Sequence, residues 1–421
     1  MKVRRALWLF ASLFAVLAFA AAGCGGGGEE EGGGATTGGG AAEGKTVKIV
    51  SDLPLQGSDR VQTTQMNEAI KFVLEQNQNK AGAYSVDFEA FDDATAAAGK
   101  WDEAKCAENA RTYVDTEDLV AVIGTYNSGC AAIIIPILND AGIAMVSPAN
   151  TYAGLTHEAP GTESGEPDKY YPSGKRNYVR VVASDDNQGK VGVQYMKEKL
   201  GVSKVFILDD KELYGKGVAD AFEGFAQDGG LQVVGHEGWN KDDPNYRALM
   251  TKIKASGADG IYIGGISTNN GGQLIKDKVA IVGDNEKVKV MVSDGFVLSS
   301  LFDEAGADKL EGAIGTAPTQ PASNLSGAGK QFVSDLQAKL GVDQLEVYTI
   351  YAAASAQVAV AAIEASDGTK EGVLDKLFGV NTDTVVGPMS FDENGDPASK
   401  VESVYLAKGG KWEWQEAISV S

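Results

Sequence analysis

Residues 119–130 read LVAVIGTYNSGC, and this stretch decides the fold class. Residues 119–123 form a short apolar run of the kind that makes a buried strand. A polar loop follows, and an apolar helix is expected to begin near Cys130. A strand that passes through a short loop into a helix is the repeating unit of parallel α/β sheets. The stretch therefore predicts an α/β fold with a polar loop at the carboxyl end of a strand.

The same alternation of short β-branched runs and longer amphipathic stretches extends along the chain from Lys45. Residues 63–76, for example, keep apolar side chains at helical spacing. Right-handed crossovers between such strands produce doubly wound sheets. We predict strands at residues 47–50, 86–91, 119–123, 143–146, 178–182, 205–208, 231–234, 260–263 and 288–292.

Two distant parts of the chain repeat one pattern and predict two similar lobes. Residues 123–128, IGTYNS, lead on to MVSP at 145–148, and residues 263–268, IGGIST, lead on to MVSD at 291–294. The chain has 421 residues, which exceeds the roughly 250–300 residues at which a single core stops growing. Because parallel sheets bind ligands at the carboxyl ends of their strands, these loops are expected to face each other across a cleft.

The N-terminus carries the features of an export signal. A basic start at residues 2–5 precedes an apolar run over 6–22 that closes on small residues. This run is shorter than the roughly 20 apolar residues of a membrane-spanning helix. Residues 21–24, AAGC, resemble the lipobox of bacterial lipoproteins, although leucine is usual where Ala21 stands. We therefore interpret residues 1–23 as a lipoprotein signal peptide with Cys24 as the lipidation site, and plain secretion is the alternative.

The following segment, residues 24–44, is predicted to be a disordered tether because it is almost entirely Gly, Ala, Thr and Glu. Its last residues contribute to a P-loop look-alike, GGAAEGKT at 39–46. A strand is predicted after this match, whereas a P-loop requires a helix there, so no nucleotide site is expected. The formal net charge of −21 argues against nucleic-acid binding, which needs clustered Lys and Arg. We predict no metal and no cofactor.

The cysteine count indicates one disulfide. If Cys24 carries lipid, then Cys106 and Cys130 remain as an even pair in an oxidising compartment. A bond between these two residues is the simplest interpretation. Two buried free thiols are the alternative.

From about Thr46 to Glu416 the chain resembles the leucine/isoleucine/valine-binding family of type I periplasmic solute-binding proteins. The family supplies the extracytoplasmic binding component of ABC importers. The resemblance rests on an ordered series of segments: DLPLQG at 52–57, FDD at 91–93, VIGTYNS at 122–128, VSPANT at 146–151, YVRV at 178–181, DDNQG at 185–189, YGKG at 214–217 and GPMSFD at 387–392.

This resemblance implies two Rossmann-like lobes with parallel sheets, joined by three hinge crossings near Val182, Thr316 and Gly387. Lobe I would comprise residues 45–182 and 317–386, and lobe II residues 183–316 and 387–421. The lobes would close on the ligand by hinge motion. A membrane permease would then discriminate the closed, loaded form from the open one.

Ser128 is the first candidate for binding a ligand carboxylate. It stands at the start of the apolar helix, where a hydroxyl and backbone N–H groups face an anion favourably. The alternative is that Ser128 merely caps this helix. The resemblance implies a second hydroxyl from Thr151 and acceptance from the ligand ammonium by backbone carbonyls near Ala149 and Asn150.

Asp294 is the candidate for pairing with the ligand ammonium. It ends a strand of apolar residues, where a carboxylate is costly to bury without a cationic partner. Its alternative role is that of a simple turn residue before a glycine. The resemblance also implies cleft-lining positions for Tyr214 and Ser267. Near Gln62 the family's branched-chain binders tend to place an aromatic side chain, whereas residues 59–62 read DRVQ here. A polar or charged wall would suit a different amino acid, an amide or a small carboxylate, so branched-chain specificity is left open.

The sequence thus predicts a monomeric, lipid-anchored solute-binding protein outside the cytoplasmic membrane. It would deliver a branched-chain or other amino acid to an ABC permease. A hydrolase is disfavoured because the only histidines, His157 and His236, lie near no nucleophile elbow or metal-ligand spacing. A paired-carboxylate or metal site at Asp92 and Asp93 is equally explained by a turn. A sensor subunit of the same fold remains an alternative.

Overall fold

The computed structural model describes residues 44–420. The predicted signal peptide, the lipidation site Cys24 and nearly all of the tether lie outside the described residues. Among the described residues, no helix is both long enough and apolar enough to cross a membrane.

The first lobe is built on a six-stranded sheet. The strand order is β2-β3-β1-β6-β7-β8, and every pairing is parallel except that of the short edge strand β2. A separate two-stranded hairpin, β4-β5, follows β3. The strands are β1 (Thr46–Leu53), β2 (Lys80–Ala81), β3 (Tyr84–Asp92), β4 (Ala94–Thr95), β5 (Lys100–Trp101), β6 (Leu119–Gly124), β7 (Ala144–Ser147) and β8 (Tyr178–Arg180), and the helices among them are α1 (Arg60–Gln76), α2 (Glu103–Asp115) and α3 (Ser128–Asp140).

The second lobe contains a seven-stranded sheet in the order β10-β9-β11-β12-β13-β16-β17. Its first five strands are parallel, and β16 and β17 extend it antiparallel. The elements are α4 (Asp185–Glu198), β9 (Lys204–Asp209), α5 (Leu213–Gly229), β10 (Gln232–Gly238), α6 (Arg247–Ser256), β11 (Gly260–Gly264), α7 (Gly271–Ile281), β12 (Lys289–Val292), α8 (Ser300–Ala305), α9 (Ala307–Leu310), β13 (Ile314–Ala317), β16 (Lys400–Lys408) and β17 (Lys411–Val420).

The segment between β13 and β16 returns to the first lobe. It contains α10 (Gly327–Leu340), α11 (Thr349–Glu364), α12 (Lys370–Leu377) and a hairpin of β14 (Asn381–Thr384) and β15 (Gly387–Ser390). Apolar side chains of all three helices pack with those of β1 and α1 in one core. The α/β fold with two lobes and mostly parallel sheets is therefore confirmed.

The third crossing lies later in the chain than the predicted position near Gly387. Residues 387–390 pair with β14, and Met389 is buried in the first-lobe core. The chain joins the second sheet only at β16, which begins at Lys400. The boundary at 386/387 was wrong because the hairpin buries its apolar side chains, Val385 and Met389, against the first lobe.

Cys106 and Cys130 form a disulfide that links α2 to α3, with their Cα atoms 5.7 Å apart. Both residues are fully buried. The predicted pairing is confirmed, and the alternative of two free thiols is excluded. The bond fixes the N-terminal turn of α3, the helix that begins at Ser128.

Candidate ligand-binding cleft

A small cavity lies between the lobes, at the carboxyl ends of strands from both sheets. Its volume is only about 20 Å³, far less than the roughly 300–1,000 Å³ typical of sites for drug-sized ligands. The loops after β6 and β7 line it on one side, and the loops after β9, β11 and β12 line it on the other. The lining residues are Tyr126, Asn127, Ser128, Ala149, Thr151, Tyr214, Ile266, Asp294, Gly295 and Tyr348.

Asp294 provides the negative charge of the cavity. It begins a 3₁₀ turn directly after β12 and is 5% exposed. Its carboxylate accepts hydrogen bonds from the Tyr214 hydroxyl, from the Tyr348 hydroxyl at 2.7 Å and from Gln188 Nε2 at 2.8 Å. All three donors are uncharged. Its side chain therefore lines the cavity instead of serving only the turn.

Burial raises the pKa of Asp294 above its ordinary value, although the hydrogen bonds from Tyr214, Tyr348 and Gln188 act in the opposite direction. Asp185, in the first turn of α4, is also buried, and burial together with the charge of Asp294 raises its pKa. A cation brought into the cavity would be attracted by the Asp294 carboxylate, the acidic side chain in its lining. The second-lobe side of the cavity is thus suited to a positively charged group.

The opposite side of the cavity is suited to an anion. Ser128 is the first residue of α3, and Asn127 is the N-cap, so the alternative in which Ser128 merely caps the helix is wrong. The Ser128 hydroxyl is 3.4 Å from the Tyr152 backbone N–H, a long contact that leaves it able to bind another group. Thr151 lines the same side. These groups surround the positive end of the α3 dipole.

Two predicted site residues do not line the cavity. The Asn150 side-chain Nδ2 donates to the Tyr126 backbone carbonyl at 3.0 Å. The backbone carbonyl of Asn150 accepts a hydrogen bond from Arg180 Nη1 at 3.3 Å, so it already has a partner. Ser267 is buried in the loop after β11, where its backbone N–H bonds to the Gly295 carbonyl at 3.0 Å. Both residues shape the loops, and their ligand contacts stay a prediction.

Gln62 does not form a polar wall of the cavity. It is fully buried behind the lining, where its Nε2 donates to the Tyr126 hydroxyl at 2.7 Å and its Oε1 accepts from the Tyr348 backbone N–H at 3.3 Å. The rings of Tyr126 and Tyr348 meet edge to face with centroids 5.9 Å apart. The wall beside Gln62 is therefore aromatic, and Gln62 is not one of the residues that line the cavity.

Tyr348 is the main site residue that the sequence did not reveal. It belongs to the first-lobe core, immediately before α11, yet its hydroxyl reaches Asp294 in the second lobe. Nothing in its local sequence separates it from a core aromatic residue. Gly295 was also missed, although its position beside Asp294 was a usable signal. A Cβ at Gly295 would lie 2.4 Å from the Gly265 carbonyl oxygen, so only glycine fits between these loops.

The residues considered for a hydrolase or for a paired-carboxylate or metal site lie outside the cavity lining. Asp92 accepts from the backbone N–H groups of Leu55 at 2.8 Å and Ala94 at 2.9 Å, as expected of a turn. His157 lies beside Asp396, 2.9 Å from its carboxylate, and His236 contacts Glu223 at 2.7 Å. Neither histidine is among the residues that line the cavity.

Comparisons with known proteins agree with this architecture. Residues 46–411 match the family described as periplasmic binding protein. The Leu/Ile/Val/Thr-binding protein of Salmonella typhimurium is 30% identical over 302 residues, which cover 70% of this chain and 76% of that protein.

Two solved structures share the fold. The branched-chain amino acid transporter substrate-binding protein LivJ of Streptococcus pneumoniae, in complex with isoleucine, has a TM-score of 0.75 at 22% identity and covers 89% of this chain and 100% of its own. A solute-binding protein of an ABC transporter from R. palustris, in complex with benzoate, has a TM-score of 0.72 at 19% identity and covers 89% of this chain and 98% of its own. At these identities the likeness concerns the fold alone.

Proposed function

Because this chain belongs to the family of periplasmic binding proteins, we propose that it binds a small amino acid with an apolar side chain and delivers it to an ABC import permease. In this proposal the protein works outside the cytoplasmic membrane and is anchored by lipid at Cys24. Binding draws the two lobes together, and the permease recognises the closed form. The proposal concerns a monomer that returns its ligand unchanged.

The observation that carries the proposal is the placement of opposite polarity at the two sides of one small cavity. Asp294 lies on the second-lobe side among uncharged donors. Ser128 lies on the first-lobe side at the positive end of α3. A zwitterion satisfies both sides at once, with its ammonium at the aspartate and its carboxylate at the helix N-terminus.

The rest of the lining favours an apolar ligand side chain. Ile266 and the aromatic rings of Tyr126 and Tyr348 face the same space as the two polar sides. The cavity is small, which favours a small ligand over a large one. The binding of leucine, isoleucine, valine or threonine implied by the name of the Salmonella relative is consistent with this chemistry.

An aromatic acid is the second candidate, because the cavity wall contains three tyrosines and a related fold binds benzoate. Such a ligand would bring a carboxylate and no ammonium. The buried charge of Asp294 would then remain without a cationic partner, which is costly in a site closed from water. Asp294 therefore favours the amino acid.

Substitution of Asp294 by Asn tests the proposal. Asparagine keeps the shape and removes the charge, and losing one member of a buried charge pair costs about 2–5 kcal/mol. This corresponds to roughly 30-fold to several-thousand-fold weaker affinity. Titration calorimetry with leucine, isoleucine, valine and threonine, and with their des-amino analogues, measures the effect. The variant is expected to lose affinity for amino acids far more than for des-amino acids.

Asp308→Asn is the matched control, because Asp308 is an exposed aspartate of the same lobe. Its affinity should equal that of the unmodified protein. If Asp294→Asn binds an amino acid as tightly as the unmodified protein does, the assignment of the ammonium site is wrong. If benzoate binds and no amino acid does, the aromatic-acid candidate replaces the proposal.

A further inference from the structure

A cluster of metal-ligating side chains lies on the outer edge of the second lobe. It joins α5, which carries Asp220 and Glu223 one turn apart, to the edge strand β10, which carries His236. One donor atom from each of the three residues lies within 4.8 Å of the other two. The three side chains are half-buried, so the cluster is formed by the fold and is still reached from solvent.

From this arrangement we propose that His236, Asp220 and Glu223 form a binding site for a divalent first-row transition metal ion, of which Zn²⁺ is the representative. The site is separate from the ligand cavity. An imidazole with two carboxylates is a donor set that suits Zn²⁺, Ni²⁺ and Cu²⁺ and does not suit Ca²⁺ or Mg²⁺, which prefer oxygen alone.

The orientation of the imidazole supports the proposal. His236 Nδ1 faces α5, 2.7 Å from Glu223 Oε2 and 3.9 Å from Asp220 Oδ1. Zinc bonds to nitrogen and carboxylate oxygen are about 2.0–2.2 Å long. The ligands of one ion therefore lie at most about 4.4 Å apart. In the cluster the three donor atoms lie within 4.8 Å of one another, close to this limit.

Asp209 completes the arrangement from behind the ring. Its carboxylate Oδ2 is 3.3 Å from His236 Nε2, and its Oδ1 accepts from the Lys211 backbone N–H at 2.8 Å. A carboxylate on the far side of the ring is the usual support of a metal-binding histidine. Asp209 lies on the Nε2 side, and Nδ1 lies on the side of Asp220 and Glu223.

The charges around the cluster also favour a cation. Three carboxylates meet at one imidazole, and Lys216 is the ammonium group paired with Asp220. The Lys216 side chain is 58% exposed, and exposed ion pairs of this kind contribute little free energy, so it competes weakly with a divalent ion. Burial lowers the pKa of His236, but contacts with Asp209 and Glu223 raise it overall.

The chain provides a matched control because it contains only two histidines. His157 also lies beside two carboxylates, 2.9 Å from Asp396 and 3.6 Å from Asp186. However, Arg180 already pairs with Asp396 and supplies a fixed positive charge there. Replacing each histidine by Gln therefore separates metal binding from a general effect of losing an imidazole.

The test is titration of the full chain, first treated with a chelator, with Zn²⁺ by calorimetry and with Co²⁺ by visible absorption. We expect one equivalent of Zn²⁺ with micromolar or tighter affinity, loss of this binding in His236→Gln, and no change in His157→Gln. Asp209→Asn should weaken binding by about 10–100-fold, as is usual for a carboxylate behind a metal-binding histidine. The Co²⁺ spectrum reports nitrogen and oxygen coordination directly.

Absence of Zn²⁺ binding by the unmodified chain would overturn the proposal, and so would equal binding by His236→Gln. Should His236→Gln fold poorly, Glu223→Gln replaces it, because Glu223 is more exposed, and binding unchanged in that variant would also overturn the site. Amino-acid binding should be the same in all of these variants, since the cluster does not line the ligand cavity.

Discussion

Two buried aspartates of this molecule have opposite surroundings. Asp396, in the segment that leads to the third crossing, is 2.5 Å from Arg180 Nε through one oxygen and 2.9 Å from His157 Nδ1 through the other. Asp294, in the cleft, accepts hydrogen bonds from two tyrosines and a glutamine. Both carboxylates are at least nine-tenths buried.

The pKa values of the two groups shift in opposite directions. Burial tends to raise the pKa of Asp396, but the charge of Arg180 and the contact with His157 hold it well below its usual range. Burial raises the pKa of Asp294, and its neutral donors offset this only in part. A buried carboxylate that has cationic partners within the chain therefore belongs to the folded framework. One that has only neutral partners and lines a cavity is suited to bind a cationic ligand.

Replacement of Asp396 by Asn should give the largest effect on stability. Removing one partner of a buried ion pair leaves the Arg180 charge uncompensated and costs about 3–5 kcal/mol. Urea unfolding of the ligand-free protein measures the loss in free energy of unfolding. Asp375→Asn is the control, because Asp375 pairs with Lys175 at 3.5 Å on the exposed surface, where such pairs contribute about 0–1 kcal/mol.

The difference in free energy of unfolding between the unmodified protein and Asp396→Asn should depend on pH with a defined sign. The pKa of Asp396 is lowered in the folded state, so its contribution is fully present above the unfolded-state pKa and is lost as pH falls through the folded value. The difference in free energy of unfolding between the unmodified protein and Asp396→Asn should therefore decrease on acidification from about pH 5. A gap that widens with acid would contradict the role given to Asp396.

Lys100 is an intermediate case, because it is a buried charge whose partners lie in the other lobe. It belongs to β5 of the first lobe, and its Nζ contacts the Glu212 carboxylate and lies 2.8 Å from Asn269 Oδ1 in the second lobe. Trp101 Nε1 adds a 3.3 Å contact to the same carboxylate. These contacts exist only when the lobes meet, so they should stabilise the closed form and not either lobe alone.

Lys100→Met should therefore weaken ligand affinity. Hydrogen bonds to charged groups contribute about 1.5–3 kcal/mol, which corresponds to roughly ten- to hundredfold in affinity. Small-angle scattering at subsaturating ligand should show a larger radius of gyration than the unmodified protein. Lys105→Met is the control, since Lys105 pairs at 3.2 Å with Glu108 in its own helix. Equal affinities in both variants would show that the contact does not contribute to closure.

The sequence predicted the fold better than it predicted the site. Each of the nine predicted strands overlaps an observed one, because buried parallel strands consist of short β-branched runs that end in polar loops. Ser128, Thr151 and Asp294 were found for the same reason, since they directly follow strands. Asn150 and Ser267 lie in the same loops but are not among the lining residues, so loop position alone does not decide which residues line the cavity.

Tyr348 and Gln62 show what local sequence patterns cannot provide. Tyr348 reaches the cavity from the start of an almost wholly buried helix that is far from the strand-end loops in sequence. Gln62 does not line the cavity itself, but its hydrogen bonds hold Tyr126 and Tyr348, which do. Both roles depend on the packing of α1 against α11, which brings residues separated by 286 positions into contact.

The smallest predicted effect concerns the stability of Asp294→Asn in the absence of ligand. The pKa of Asp294 is raised in the folded state, so between the unfolded and folded values the folded protein binds more protons than the unfolded chain. The aspartate therefore lowers the free energy of unfolding progressively as pH rises through this window, and asparagine does not.

Below the window both side chains are neutral and similar in shape, and the two proteins should unfold at nearly the same urea concentration. Above it, Asp294→Asn should match or exceed the unmodified protein in free energy of unfolding, in contrast to Asp396→Asn, which loses stability at the same pH. If Asp294→Asn instead loses as much stability as Asp396→Asn near neutral pH, Asp294 is a framework residue and the contrast between the two aspartates fails.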